Sequence, residues 1–340
     1  MDCGSGLLLL ITRAMRRLPE AGRLGVRSAE PSVAVDLPAW ADLVGHGVVG
    51  TATDSDTGPW WFVVEKAPAK PRAGTVFSQG DRTPVGHRVW IYTNFDCNLA
   101  CTYCCAESSP KAAARRFDVE TARQVFEQFR ARGGREVLLT GGEPFMHPDL
   151  GELVAAAAGF ERAVLTNAMV FGRGRRRETL EGLDRDVVLQ VSLDSATAGL
   201  HDRQRGQGAW AKAMAGIEDA RTLGFRVRIA ATLYDEDPTG VAALHSRLDD
   251  VGIDAADRLI RPVAQEGYAD TGLHVSIDSL EPEPTLTADG AWWHPVAVTN
   301  PNLRIADAPL PLDEVFGVVE DTMQVQDAAA ASGREVFRCA

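Results

Sequence analysis

A short loop of closely spaced cysteines constrains this chain more than any other feature of its sequence. Cys97, Cys101 and Cys104 follow a strand-like apolar run, residues 89–92, at CxxxCxxC spacing. Thiolates are the ligands of iron–sulfur clusters and of soft metals. Three thiolates can each bind one iron of a 4Fe–4S cluster and leave the fourth iron open to a ligand that is not protein. The spacing therefore predicts one 4Fe–4S cluster at which chemistry takes place.

Two other uses of these thiols compete with the cluster. A structural zinc site usually has four protein ligands in two separated pairs, and Cys105, adjacent to Cys104, is badly placed as the fourth. A disulfide framework is disfavoured because four of the six cysteines lie within residues 97–105. This cysteine usage predicts a reducing compartment, the cytoplasm. Cys105 and Cys339 are candidates for hydrogen donation or methyl transfer, although a free cysteine is more often a small buried hydrophobe.

The cysteine loop and four later motifs resemble, in the same order, those of the radical S-adenosylmethionine (SAM) superfamily. The run CNLACTYC at 97–104 is similar to the family's cluster motif, including the aromatic residue before the last cysteine, Tyr103. The other similar runs are GGEP at 141–144, TN at 166–167, VSLDS at 191–195 and HDRQRG at 201–206. The resemblance spans roughly residues 88–265. Ala168 departs from it, because the family usually has glycine there.

The resemblance implies a cofactor, a reaction and a set of contact residues. Members of the family bind SAM at the open iron and cleave it reductively to a 5′-deoxyadenosyl radical, which abstracts hydrogen from a substrate. The implied SAM-binding residues are Tyr103, Gly141, Gly142, Glu143, Pro144, Asn167, Ser192, Asp194 and Arg205. Arg205 is expected to pair with the SAM carboxylate, and Ser192 with the ribose hydroxyls. Asn167 and Asp194 have an alternative role as turn-forming residues that order their loops.

The two glycines of the GGEP run have their own physical argument. A glycine has no Cβ, so Gly141 and Gly142 allow close approach to their backbone, and the resemblance implies that the SAM ammonium makes this approach. The competing interpretation is a plain turn without a ligand.

Strands and helices alternate along residues 89–263. The predicted strands are 89–92, 136–140, 162–166, 187–194, 226–233 and 258–263. Such alternation implies right-handed crossovers and a parallel sheet. Six units fall short of a closed barrel of eight strands, so the predicted fold is α/β, the partial (β/α)6 TIM-like barrel that the resemblance implies. The first four predicted strands each end in one of the motifs, at the edge where such barrels collect reactive groups.

The rest of the chain is divided into smaller regions. Residues 1–30 are expected to be a disordered leader, and residues 31–88 a small β-rich region with a hairpin and a linker. Residues 89–265 form the predicted core barrel. Residues 266–340 resemble the C-terminal twitch hairpin and helix of many family members. An auxiliary cluster is not expected there, because no cysteine lies between Cys105 and Cys339.

Composition narrows the function further. The formal net charge of −12 disfavours nonspecific nucleic-acid binding, which needs clustered Lys and Arg. The apolar run at residues 7–11 is too short to span a membrane. His294, in the predicted hairpin, is a candidate to face the substrate, although a core histidine is the commoner case.

The leading hypothesis is a radical SAM enzyme that modifies a C–H bond of a peptide or a small metabolite. The implied electron donor is a flavodoxin or ferredoxin. The alternative is a non-catalytic iron–sulfur or zinc protein on a degenerate barrel. Arg205 and the GGEP turn disfavour that alternative, since a purely structural metal site has no use for them.

Overall fold

The chain is described here in a computed structural model. The described residues are 21–44, 46–53, 59–66, 85–234, 238–277 and 280–330, together with positions 11, 14, 15, 18 and 19. Cys339, the predicted linker and half of the predicted leader lie outside them. The chain divides into two compact units, residues 1–75 and 76–340.

The first unit contains a small antiparallel sheet and a helix. Its elements are β1 (Arg23–Ser28), α1 (Val33–Val44), β2 (Gly47–Thr53) and β3 (Trp60–Glu65), with sheet order β1-β3-β2. The predicted hairpin of β2 and β3 is confirmed. The expectation of a disordered leader is wrong for β1, because Val26 alternates inward there and pairs with Phe62 in a buried cluster.

The second unit is built on six parallel strands that neighbour one another in chain order. They are β4 (Arg88–Tyr92), β5 (Glu136–Thr140), β6 (Glu161–Thr166), β7 (Val188–Ser192), β8 (Val227–Leu233) and β9 (Arg258–Pro262). The helices of the crossovers are α2 (Val119–Ala131), α3 (Leu150–Ala156), α4 (Arg175–Gly182), α5 (Ala198–Arg205), α6 (Ala209–Thr222) and α7 (Pro238–Asp250). Within the described residues these strands form an open sheet. The predicted α/β class with a partial barrel is confirmed.

Both faces of these strands are buried, which explains their nearly continuous apolar sequences. Val89 and Ile91 pack outward in the main core with helix α2. Trp90 alternates to the inner face, the lumen, where it packs with Leu138 and Ala163. The carboxyl ends of the six strands therefore share one edge, which places the loops after β4, β5, β6 and β7 side by side.

A C-terminal hairpin extends the sheet beyond β4. Strands β10 (Thr285–Thr287) and β11 (Gly290–Trp292) form this predicted hairpin, and β12 (Arg304–Ala306) pairs with β11. Strand β10 runs parallel to β4 and pairs with it. The predicted final helix, α8 (Leu312–Ala330), runs farther than the sequence indicated. Within the described residues, no helix has the length and apolar character needed to cross a membrane.

Candidate cofactor site

The three predicted cluster ligands lie in one anchored loop after β4. Cys97 is buried, and Cys101 and Cys104 are half-buried, all as free thiols. The Cys97 N–H donates to the Ser109 carbonyl oxygen at 3.2 Å. The Thr102 N–H donates to the carbonyl oxygen of residue 204, at the end of α5, at 3.0 Å. The loop is therefore held by its own return and by a helix that begins after β7.

The surroundings of the sulfur atoms suit thiolate ligands. The Leu99 N–H donates to Cys97 Sγ at 3.4 Å, and the Ser108 N–H donates to Cys104 Sγ at 3.3 Å. Burial raises the pKa of the Cys101 thiol to about 11, and the positive charge of Arg205 opposes that effect. Amide donors to sulfur are a feature of protein-bound iron–sulfur clusters. The donor set therefore fits a cluster held by three thiolates.

A site for a single metal ion needs at least three ligand side chains that converge on one point. Among the residues that the structure describes, no three His, Cys, Asp or Glu side chains converge in that way. Four thiolates around one zinc lie roughly 4 Å apart, because each Zn–S bond is about 2.3 Å long and the geometry is tetrahedral. In a 4Fe–4S cluster each thiolate binds a different iron, so wider separation is expected.

The GGEP turn packs directly on the cysteine loop. The Gly142 N–H donates to the Asn94 carbonyl oxygen at 2.9 Å, and the Glu143 N–H to that of Asp96 at 3.0 Å. A Cβ on Gly142 would lie 2.3 Å from the Asp96 carbonyl oxygen, and one on Gly141 2.5 Å from that of Asn94. The chain's own backbone therefore requires both glycines. The predicted approach of a SAM ammonium at this turn stays a prediction.

The buried side chain of Glu143 connects the end of β5 with the end of β6 through hydrogen bonds. Its Oε1 accepts from Thr166 Oγ1 at 2.8 Å and from the Phe145 N–H at 3.1 Å. Its Oε2 accepts from the Asn167 N–H at 2.8 Å. Pro144 is buried at the start of the short 3₁₀ helix that Glu143 caps. The Glu143 carboxylate therefore holds the GGEP turn and the start of the loop after β6 in place.

A pH-dependent stability is the expected consequence of this buried carboxyl. Burial raises the pKa of Glu143 to about 7, above its ordinary value of 4.5, against the opposing hydrogen bonds. Because the folded chain then holds this proton more tightly than the unfolded chain, the contribution of Glu143 to stability is greatest below about pH 4.5 and decreases as pH rises through 7. The decrease is roughly 3 kcal/mol at most.

Urea unfolding of cluster-free protein at pH 5 and pH 8 measures this decrease. The Glu143→Gln variant is expected to lose this decrease, since glutamine does not titrate, and to keep the opposite contribution of the buried histidines, whose pKa values are lowered. Glu152→Gln on α3, whose side chain is 66% exposed, is the control and should keep the wild-type dependence. If Glu143→Gln shows the same pH dependence as the wild-type protein, another group is responsible for the decrease.

Asn167 and Ala168 shape the loop after β6. Asn167 Nδ2 donates to Asn98 Oδ1 at 2.8 Å, and its Oδ1 accepts from the Met169 N–H at 3.0 Å. The residue therefore orders two loops, and its role as a SAM contact stays a prediction. Ala168 has φ of 58°, a left-handed conformation that costs a non-glycine residue about 1–2 kcal/mol. This strain gives a physical reason for the glycine that the family usually has there.

Asp194 and Arg205 form a buried ion pair next to the cysteine loop. Arg205 Nε donates to Asp194 Oδ2 at 2.6 Å, and Nη2 donates to Oδ1 at 3.2 Å. Tyr103 Oη donates to the same Oδ2 at 2.7 Å, and its ring centroid lies 5.3 Å from the Arg205 guanidinium carbon. Three of the predicted site residues are thus brought together from the loop after β4, the end of β7 and helix α5.

Two further contacts fix Asp194 at the edge of β8. The Thr232 N–H donates to Asp194 Oδ1 at 3.1 Å, and the Asp194 N–H donates to His201 Nδ1 at 3.1 Å. Burial lowers the pKa of His201 to about 4, so the ring is neutral and accepts. Burial alone raises the pKa of Asp194, but Arg205 and the hydrogen bonds outweigh it and hold that pKa below its ordinary value. The pair is therefore charged at neutral pH.

Other predicted residues have different positions. Ser192 is half-buried at the end of β7, near the site edge. His294 is buried and caps a short 3₁₀ helix through Nδ1, which accepts from the Val296 N–H at 3.2 Å. The structure therefore gives His294 a local structural role.

Sequence reasoning missed Asn94 and Gln204. Asn94 Nδ2 donates to the carbonyl oxygens of Asp96 and Glu143, at 2.8 and 3.1 Å. Gln204 Oε1 is buried without a hydrogen-bond partner, next to the cysteine loop. The position of Asn94 directly after a strand was the available signal for its role, whereas Gln204 lies inside a motif already noted.

Comparison with known proteins gives one family and several relatives. Residues 91–238 match the family model of the Radical SAM superfamily. The subtilosin biosynthesis protein AlbA of Bacillus subtilis is 29% identical over 162 residues, which are 47% of this chain and 36% of AlbA. The PqqA peptide cyclase of Ruegeria pomeroyi is 34% identical over 142 residues, which are 41% of this chain and 37% of the cyclase. This chain therefore spans less than two fifths of the length of either relative.

The fold also matches solved structures. Native anSMEcpe with bound AdoMet has a TM-score of 0.55 to this chain, at 11% sequence identity, over 70% of this chain and 83% of that one. At that identity the match concerns the fold alone.

Proposed function

Because residues 91–238 match the family model of the Radical SAM superfamily, we propose that this chain belongs to that superfamily and is an enzyme that modifies a C–H bond of a peptide. The cofactors of this family are a 4Fe–4S cluster and SAM. When bound, they supply the 5′-deoxyadenosyl radical that abstracts a hydrogen atom from the substrate. What this chain contributes is the binding and orientation of these groups.

The proposal rests on a group of thiols and one arginine at the carboxyl edge of the parallel strands. Cys97, Cys101 and Cys104 stand in an anchored loop with amide donors to two of the sulfurs. Arg205 lies beside the same loop, and its charge acts on the Cys101 thiol. A cation and three thiols at one edge suit a cluster together with an anionic group of SAM.

The proposed roles follow from these positions. The three cysteines hold the cluster, and Arg205 pairs with the SAM carboxylate through the guanidinium nitrogen that Asp194 does not use. Asp194 and Tyr103 orient that guanidinium. Ser192 contacts the ribose, and the GGEP turn and Asn167 complete the pocket.

Two substrate classes have support from the relatives. The names of AlbA, a bacteriocin biosynthesis protein, and of the PqqA peptide cyclase refer to peptides, which favours a peptide substrate. Other relatives at 32% identity are an AdoMet-dependent heme synthase and a GTP 3′,8-cyclase, so a small metabolite is the second candidate. A short precursor-peptide gene beside the gene for this chain would decide for the peptide.

The reaction also needs an electron from outside the chain. A flavodoxin or ferredoxin in a reducing cytoplasm is the donor that we propose. Reduction of the reconstituted protein by a purified donor of either class, compared with a chemical reductant, tests that partner.

Cleavage of SAM is the expected activity even without substrate. The reduced, reconstituted protein is expected to release 5′-deoxyadenosine and methionine slowly when SAM is added, because the cofactors alone suffice for that step. Chromatography of the products measures it, and protein without reductant is the control. A protein that holds a full cluster, binds SAM and never cleaves it would favour the non-catalytic alternative.

A further inference from the structure

We propose that Arg261 is an anchor for a carboxylate of the substrate, inside the lumen of the partial barrel. The inference rests on the proposed function, because it names the chemical class of the molecule that the same site would take.

The position of Arg261 follows from strand alternation and register. On β9, Ile260 packs against the main core outside the sheet, so Arg261 faces the lumen. Arg261 pairs in register with Thr232 of β8. Thr232 donates its N–H to Asp194, which holds Arg205. Arg261 therefore lies level with the proposed SAM contacts along the strand direction, and its strand is the second neighbour of β7, which Asp194 follows.

The groups near Arg261 cannot balance its charge. Burial is the main influence on the pKa of Tyr92, which it raises, and on that of His294, which it lowers to about 3, and the charge of Arg261 lowers both. Both side chains are therefore neutral at pH 7. This part of the lumen therefore holds a cation among neutral groups.

Glu283 is an acidic group on which this cation acts, and it already has other partners. Arg261 contributes to the pKa of Glu283, but Glu283 accepts from Trp90 Nε1 and lies 3.5 Å from Arg88 Nη1. Within the described part of the chain, Arg261 forms no ion pair, and its Nε is buried without a hydrogen-bond partner.

Other arginines in this barrel contrast with Arg261. Arg88, Arg205 and Arg228 each have a carboxylate oxygen within 4 Å. A buried N–H without a partner costs free energy, and a ligand that supplies an acceptor removes that cost.

The chemistry of the group indicates a carboxylate. A guanidinium presents N–H donors in a planar fork that matches both oxygens of a carboxylate. A single cation among neutral groups suits a ligand with one negative charge, whereas a phosphate dianion needs further cations. The carboxylate can belong to a peptide side chain, to a peptide C-terminus or to a free acid.

Binding of matched probe pairs to the reconstituted protein tests the anchor. The pairs are a blocked glycine–glutamate–glycine peptide against its glutamine form, acetyl-glycylglycine against its amide, and hydrocinnamate against hydrocinnamamide. We expect wild-type protein to bind the acid of at least one pair about tenfold or more tightly than the neutral member. Calorimetric titration measures each affinity, and the pair that shows the preference identifies the source of the carboxylate.

Three variants complete the test. Arg261→Gln is expected to reduce the acid-to-neutral ratio to about one, and Arg261→Lys to keep part of it because the charge remains without the fork. Arg228→Gln is the matched control, since Arg228 faces the same lumen near the other end of β8, and should keep the wild-type ratio. Thermal unfolding verifies that each variant is folded.

The outcomes separate this inference from the proposed function. No preference for any acid in wild-type protein, or a full preference in folded Arg261→Gln, overturns the anchor. If either of these results is found in a protein that cleaves SAM, the anchor is rejected and the proposed enzyme function is kept. An acid preference that depends on Arg261, in a protein that never cleaves SAM, supports the anchor and rejects the proposed function.

Discussion

The Cys101→Ala protein is expected to retain no 4Fe–4S cluster after anaerobic reconstitution, whereas the Cys105→Ala protein retains the wild-type amount. With Cys101 removed, two thiolates remain for a cluster that already has one iron without a protein ligand. Iron and sulfide analysis, at about four of each per wild-type chain, and visible absorption measure the result.

The structure gives the physical reason for the contrast between these two cysteines. Cys105 is a half-buried residue whose thiol lies beside Tyr92, and desolvation raises its pKa to about 12. Its carbonyl oxygen accepts from Thr299 Oγ1 at 2.9 Å, which ties it to the C-terminal region. Equal loss of cluster in both variants would mean that the third ligand is misassigned. A single bound zinc in the wild-type protein would reject the cluster ligands altogether.

Replacing Arg205 by alanine is expected to have two separable effects. The first is a rise in the SAM dissociation constant of about tenfold to a hundredfold with the cluster retained, because a charge-assisted hydrogen bond is lost. The second is a loss of about 3–5 kcal/mol of stability, because Asp194 keeps a buried charge without its partner. Titration of SAM into protein with a verified full cluster measures the first, and urea unfolding measures the second.

A double variant distinguishes the two effects. Arg205→Ala combined with Asp194→Asn removes the unpaired charge, and the asparagine oxygen can still accept from Thr232 or Tyr103. Most of the stability is expected to return, while SAM binding stays weak. If Arg205→Ala binds SAM like the wild type, Arg205 is a structural partner of Asp194 only. The proposed membership of the superfamily would still rest on the cysteines and the family match.

The strands of the barrel were predictable to within two residues at nearly every end. Each is a short apolar run between turn residues, and both of its faces are buried, so the apolar pattern is strong. Helices α4 and α5 were missed because their sequences are polar. In α5 the buried face consists of His201, Gln204 and Arg205, which no hydrophobic pattern reveals.

Strand β1 was missed for a related reason. It carries Arg23, Gly25 and Arg27 on its exposed positions, so only Val26 marks a buried face clearly. Pairing with β3 stabilises it, and that pairing is a tertiary contact between residues 42 positions apart at Arg23 and Glu65. Local propensity was too weak to show it.

The sequence by itself determined the order of the motifs and the spacing of the three proposed cluster ligands, because spacing along a loop limits which thiols can bind one cluster. Only the tertiary structure decided which side chains meet across strands. Asp194 holds Arg205 and Tyr103 in one hydrogen-bonded network. The backbone of Asn94 and Asp96 packs so closely on the GGEP turn that Gly141 and Gly142 have no space for a Cβ. Arg261 faces neutral groups from distant parts of the chain. These contacts depend on strand register and on the curvature of the sheet, which arise only when the core packs.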